Sequence, residues 1–458
     1  MAEIRRMPRV AVLAVLALAF AVDAAHAAWR QKEFVIGGWT LGDPADASRY
    51  LVLDHAGFNL VVNGDIYHRS QVRTTAAILD SLRRARTDFN LKGLLFYDIF
   101  VYVDPKVPRF RDSIRAELRP ERGFSNPSIE GWAIRDEPNS AQDFADIGVK
   151  VRLMAEDPRF ADRLVYVNLL PYHGLSGLKG RGLPCGADGP AAYGCYLDQY
   201  LKLYDNLGVA PPVLSVDYYT FQVDRPLPAF FLTLEVMRER AAKYSRPGSP
   251  VPMWLLMQLS AFRMKDRPYY PAPTLAQLRW QAFGAAAYGV KGLIYWTLAP
   301  MWTGEFNGGV FDARGRTTAR VDSLRTLNLA LRALGPTLLA LEPLGALHQS
   351  AFEQTGLDSV LFSSPTRDRS IVRDLTGGNG DGFVGLFRHR ITGDTYLMVV
   401  NKNIRSARTF TVALAHAATR VERISQKTGA NEVVARDTDQ FDTPSLPPGG
   451  GELFRLVR

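Results

Sequence analysis

The chain has 458 residues, 47% of them hydrophobic and 22% charged, a balance that excludes a disordered or fibrous protein. Its formal net charge is +9, but Lys and Arg are scattered and no zinc-finger or RNA-binding pattern accompanies them, so nucleic acid is not an expected partner. The basic excess reads as solvated surface, with weak attraction to an acidic glycan or cell envelope as its other use.

The N-terminus reads as a secretory signal peptide over residues 1–27. Arg5, Arg6 and Arg9 form a basic start, an apolar run follows from Val10 to Val22, and Ala25-His26-Ala27 fits the cleavage pattern. The apolar run is short for spanning a bilayer, and no later segment has an uninterrupted apolar run long enough to span. The expected location is therefore periplasmic or secreted. The two cysteines, Cys185 and Cys195, lie in a Gly/Pro-rich stretch. In an oxidising compartment they would form a disulfide that pins a loop, the alternative being two free thiols.

From Phe34 to Leu298 short apolar runs alternate with amphipathic stretches, the pattern of parallel strands with crossover helices. Eight strands are expected: Phe34–Trp39, Asn59–Asn63, Gly93–Tyr97, Ile129–Ile134, Arg163–Asn168, Val213–Asp217, Met253–Gln258 and Gly292–Trp296. Helices are expected over 75–86, 274–288 and 320–334. Thr274 and Gln277 have the spacing of a capping box, and Val321, Leu324, Leu327, Leu331 and Leu334 share a face. Eight such units fit a (β/α)8 TIM barrel over 28–340. After Leu341 the pattern changes to short alternating runs at 359–362, 383–387, 396–400 and 410–414, broken by turn residues. This predicts a small C-terminal antiparallel β-sandwich over 341–458.

Barrel enzymes place their chemistry at the C-terminal strand ends. Trp39 ends the first strand, Asn63 the second and Tyr97 the third, with Asp98 after it. Asp136 and Glu137 follow the fourth strand, and Asn168 ends the fifth, before Tyr172 and His173. Asp217, Tyr218 and Tyr219 end the sixth, Gln258 the seventh and Trp296 the eighth, with Trp302 and Glu305 in the last loop. Aromatic faces that stack on sugar rings, set beside paired carboxylates, suit glycoside hydrolysis. The Gly377–Gly382 run lacks the spaced acids of a calcium loop and reads as a turn. His55, His68 and His173 lack metal-ligand spacing, and no P-loop or dinucleotide fingerprint is present. No cofactor or metal is expected.

The stretch Gly131-Trp-Ala-Ile-Arg-Asp-Glu-Pro-Asn139 resembles the fourth-strand end of the large retaining clan of (β/α)8 glycoside hydrolases, including barrels related to family 42 β-galactosidases. Leu278–Trp296 and Tyr396–Asn403 are similar to the last barrel unit and the β-domain of such proteins. The resemblance implies a carbohydrate substrate and Glu137 as general acid/base. It breaks at the seventh strand, where the clan carries its nucleophilic Glu and this chain has Gln258. Three substitutes are open. Asp217 could activate water across an inverting gap of roughly 6.5–9.5 Å. Asp136 and Glu137 could work as the adjacent pair of β-hexosaminidases, which requires the strand to have ended, since consecutive strand residues face opposite ways. Glu305 could fold in from the last loop. A barrel that has lost its nucleophile could instead only bind carbohydrate.

Overall fold

The computed structural model describes residues 29–63, 69–96, 126–157, 160, 162–186, 188–222, 225–226, 229–263, 269–301, 306–350 and 369–458. Eight parallel strands close into a barrel: β1 (Val35–Trp39), β2 (Leu60–Asn63), β3 (Lys92–Phe96), β4 (Ile129–Asp136), β5 (Leu164–Leu169), β6 (Leu214–Tyr218), β7 (Met253–Gln258) and β8 (Val290–Trp296). Each pairs with its chain neighbour, and β8 returns to β1 through Val35–Gly292 to Trp39–Trp296. Expected and observed strand ends differ by no more than two residues.

Period-two alternation builds two concentric cores. Val62, Leu94, Phe96, Tyr166, Leu256 and Ile294 point inward. Val61, Leu95, Val167, Val216 and Leu255 point outward onto the helices. These are α1 (Ala47–His55), α2 (Arg69–Ala85), α3 (Ala141–Ala155), α4 (Pro190–Asp205), α5 (Phe230–Tyr244), α6 (Leu275–Ala287) and α7 (Arg320–Ala340). The capping box is present on α6: Thr274 accepts from the Gln277 amide at 3.3 Å, and the Gln277 side chain accepts from the Thr274 amide at 2.8 Å. Helix α7 runs six residues past its expected end and carries Pro336 inside. Leu338 continues its buried face, so packing outweighs the local cost of proline.

The chain then forms β9 (Leu341–His348), β10 (Val372–Gly377), β11 (Gly382–His389), β12 (Thr395–Asn401), β13 (Phe410–Ile424), β14 (Asn431–Asp442) and β15 (Gly451–Val457). All are antiparallel, in the order β9-β11-β12-β15-β13-β10, with β14 on β13. The long β13 pairs with β10 through its first half and with β15 through its second. Between the layers lie Leu347, Val384, Leu397, Val399, Val412 and Phe454. The fold is thus a TIM barrel followed by an antiparallel β-sandwich. The outer face of the sandwich rests on α6 so closely that a Cβ on Gly385 would lie 2.0 Å from the Ala287 carbonyl oxygen. The 377–382 run is a turn, with Asn379 at φ 54°.

Among the described residues no helix is long and apolar enough to cross a membrane. Residues 1–27, the strand expected at 359–362, and His68, Tyr97, Asp98, Trp302 and Glu305 lie outside the described residues.

Candidate active site

Strand β4 does not simply alternate to its end. Ala133 faces the barrel interior and Ile134 the helices, but the pairing with β5 shifts register between Ala133 and Arg135. A bulge of this kind re-aims the residues that follow it. Arg135 bonds Asp143 at the start of α3, at 2.5 Å, while Asp136 turns to Asn168 on the inner face of β5. The strand ends at Asp136, and Glu137 has φ 43°, a left-handed conformation uncommon for a residue with a side chain. Its amide is fixed by the Asn168 carbonyl at 2.9 Å. Tyr196 on α4 locks the turn, donating to the Pro138 carbonyl at 2.8 Å and accepting from the Leu170 amide at 3.0 Å. The condition for two consecutive carboxyls to reach one site is therefore met.

Three carboxyl groups converge. Asn168 Nδ2 donates to Asp136 Oδ1 at 3.1 Å and lies 3.5 Å from Asp217 Oδ1. The Glu137 charge acts on Asp217, second only to burial. The Asn168 amide has its orientation set from the other side: Ser215 donates to Oδ1 at 3.3 Å, and the Ser215 and Tyr166 hydroxyls are 2.9 Å apart. Asn168 and Asp217 are 1% and 2% exposed, whereas Asp136 and Glu137 are half-buried. Burial first, then the Glu137 charge, pushes the Asp136 carboxyl up to about 7. Burial, then Glu137 and Asp136, raises Asp217 well above the usual carboxylate range. Desolvation and like charge both disfavour ionisation of these two aspartates.

An aromatic wall stands beside the carboxyls. The Trp39 and Trp296 rings are 5.3 Å apart, Phe96 lies 4.8 Å from Trp39, and Tyr219 lies 6.5 Å from Trp296 and packs on Phe262. Tyr219 feels the charges of all three acids.

Other expected residues sit differently. Gln258 is fully buried; its Oε1 accepts from the Phe221 amide and its Nε2 donates to the Pro271 carbonyl, both at 2.8 Å. It ties together the loops after β6 and β7 instead of offering its amide to a sugar. Asn63 faces outward, bonding Tyr50 and Thr75. Tyr172 donates to Asp188 at 2.8 Å, in the loop closed by the Cys185–Cys195 disulfide. His173 packs edge-on against Tyr218. Among the described residues no group of His, Cys, Asp and Glu is arranged to hold a metal.

Tyr166, Ser215 and Tyr196 were not singled out by the sequence. The first two sit two residues before Asn168 and Asp217, on the same face of their strands, and period two alone could have found them. Tyr196 comes from a helix surface, and no spacing announces it.

No family model matches the chain, and no curated protein matches it. Solved structures do. A glycoside hydrolase superposes with a TM-score of 0.50 at 13% identity, covering 93% of this chain and 92% of its own. A family 5 glycoside hydrolase from Bacteroides vulgatus gives 0.48 at 12%, covering 93% and 89%. A β-galactosidase from Bacillus circulans sp. alkalophilus gives 0.47 at 12%, covering 93% and 99%. What this chain shares with the first of these is its fold, an eight-stranded parallel barrel.

Proposed function

We propose that the chain is an exported glycoside hydrolase that cleaves a poly- or oligosaccharide, with Glu137 as the general acid. The observation that carries this reading is the gathering of Asp136, Glu137 and Asp217 at the C-terminal strand ends, with the Asn168 amide reaching both aspartates, beside Trp39, Trp296 and Tyr219. Structural similarity to glycoside hydrolases and the fourth-strand motif support it. Export rests on the N-terminal sequence pattern alone.

The arrangement suits one chemical task well. Glu137 passes a proton to the bridging oxygen as the bond from that oxygen to the anomeric carbon breaks. The remaining negative charge on the cluster stabilises the positive charge developing at that carbon. Water completes the reaction, its hydroxyl going to the anomeric carbon and its proton returning to the cluster. The aromatic wall would take an apolar sugar face, and Asn168 and Tyr219 stand within the polar part of the site.

One observation favours a second reading. The residue at the seventh-strand position, where the retaining clan has its nucleophile, is an amide whose two polar atoms are already bonded to the backbone. This suits a barrel that binds carbohydrate without cleaving it. Release of reducing ends from a panel of bacterial and plant polysaccharides separates the two. A hydrolase releases them and Glu137→Gln does not, while both bind the glycan. A binding protein shows affinity and no release from either.

A further inference from the structure

The turn that carries Glu137 is held from outside its own strand. Its far side is fixed by the start of α3, where Asp143 accepts from the Asn139 and Ser140 amides at 2.9 and 3.1 Å and pairs with Arg135. Its near side is buckled to the connection between β5 and α4. The Tyr196 hydroxyl bridges the Pro138 carbonyl and the Leu170 amide. Burial holds the Tyr196 phenol well above its usual range, so it stays a donor. Arg181 Nη1 donates to Asn139 Oδ1 at 2.8 Å, and the Arg181 carbonyl accepts from the Ala141 amide at 3.1 Å. The connection is itself stapled. The Cys185–Cys195 disulfide joins the loop that carries Arg181 to the helix turn that carries Tyr196. Tyr193, on that helix turn, donates to the Leu170 carbonyl at 3.1 Å, and the Tyr172 hydroxyl accepts from the Gly189 amide at 3.2 Å.

We propose that Tyr196 and Arg181 are positioning residues for Glu137, and that the Cys185–Cys195 disulfide keeps the two in register. The inference rests on Glu137 being the reacting acid. A residue with a side chain keeps a left-handed backbone only where its surroundings over-determine it, and Glu137 stands at φ 43°. Its own amide has one anchor, the Asn168 carbonyl. The remaining constraint falls on Pro138, Asn139 and Ala141, and Tyr196 and Arg181 supply it. They act through the backbone that aims the acid.

Loosening this frame has a specific kinetic signature. The aromatic wall stands on other elements, with Trp39 on β1 and Trp296 on β8, across the barrel from β4. A relaxed turn leaves that wall in place, so a sugar still binds. The acid no longer meets the bridging oxygen in line, and a misplacement of about 1 Å costs on the order of a hundredfold in rate. The loss therefore falls on kcat and spares KM.

The test has a substrate-free arm and a kinetic arm, both on the full chain. Amide hydrogen exchange is followed by mass spectrometry in wild type, Tyr196→Phe, Arg181→Ala and the Cys185→Ser/Cys195→Ser double variant. Peptides over 135–141 and 168–171 should exchange about two- to tenfold faster in each variant, the weight of a lost hydrogen bond, while peptides from β8 stay as in wild type. On a polysaccharide that the wild type cleaves, Tyr196→Phe should lower kcat by about ten- to a hundredfold with KM little changed. Arg181→Ala and the double variant should follow in the same direction, and Arg181→Lys, which keeps a donor, should recover most of the loss. Should Tyr196→Phe unfold, thermal melting will show it, and Arg181→Ala, an exposed side chain, still decides. Exchange over 135–141 unmoved in the folded variants overturns the proposal, as does faster exchange with kcat unchanged, or a uniform rise in exchange through β8, which marks a structural role alone. A double variant unmoved in both arms removes the disulfide from the frame. Faster local exchange in variants of a protein that releases no sugar would leave the held turn standing and remove the hydrolase reading.

Discussion

The two ends of the barrel bury charge in opposite ways. At the base, the described charges meet an opposite charge or carbonyl oxygens, although Arg390, after burial, also lowers Lys291. Lys92 pairs with Glu130 at 2.8 Å, and Trp29 donates to the same carboxylate at 2.5 Å. Lys291, 3% exposed, donates to the carbonyls of Leu338 and Leu341 where α7 ends, the end of a helix that favours a cation. At the mouth, three carboxyls crowd together around one amide. Complementary burial serves the fold, whereas like-charge burial costs stability and persists where it performs chemistry. Variants at the two ends should therefore have opposite signatures.

The largest effect is expected at the mouth. Glu137→Gln should lower the rate of reducing-end release by about a hundred- to ten-thousand-fold, the usual weight of a positioned acid. It should also raise the melting temperature, since one member of a repelling set becomes neutral. Loss of both activity and stability would mean that the cluster is structural.

The pH dependence of stability follows from Asp136. Its carboxyl is raised in the folded state, from 3.8 to about 7, so the folded protein binds more protons than the unfolded chain between those values. The contribution of Asp136 to stability is fully present below pH 4 and is lost as pH rises through 7. Asp136→Asn removes this loss. Its stability advantage over wild type should grow from pH 4 to pH 8 by at least about 1.4 kcal/mol, one pKa unit's worth, in paired urea titrations. An advantage independent of pH would show that Asp136 is not raised.

Lys291→Met tests the base. It leaves the Leu338 and Leu341 carbonyls without their donor and should destabilise the fold by about 1–3 kcal/mol. Turnover per folded molecule should stay at the wild-type value. A turnover change without a stability change would erase the distinction between the two ends.

The barrel was legible because its strands are short apolar runs with fixed spacing, and inward and outward cores follow from alternation. The sandwich was half legible. Strands β11 and β12 are apolar and stood out, while β14 carries Asn431, Glu432, Arg436, Asp437 and Asp439 and is largely exposed, so periodicity could not reveal it. Glu137 was visible through its motif, but its neighbours were not. The bulge at Ile134 that turns Asp136 inward has no sequence mark, and the approach of Asp217 to Asn168 depends on barrel closure. Gln258 misled for the same reason: its position at a strand end suggested a sugar ligand, and only the loops around it show its amide in use.

The smallest effect probes how finely the mouth is built. Ser215 lies on β6 beneath Asp217 and is 0% exposed, with its hydroxyl between Tyr166 and the Asn168 carbonyl. Ser215→Ala removes a neutral hydrogen bond and no charge, so the stability cost should be about 1 kcal/mol. The functional cost should be larger in proportion, because an unfixed Asn168 can turn its carbonyl toward the acids and repel them. Turnover should fall several-fold with KM little changed, and Ser215→Thr, which restores the hydroxyl, should recover most of it if the added methyl is accommodated. If Ser215→Ala lowered stability alone, Asn168 would be oriented by the carboxyls themselves, without help from one residue deeper in the barrel.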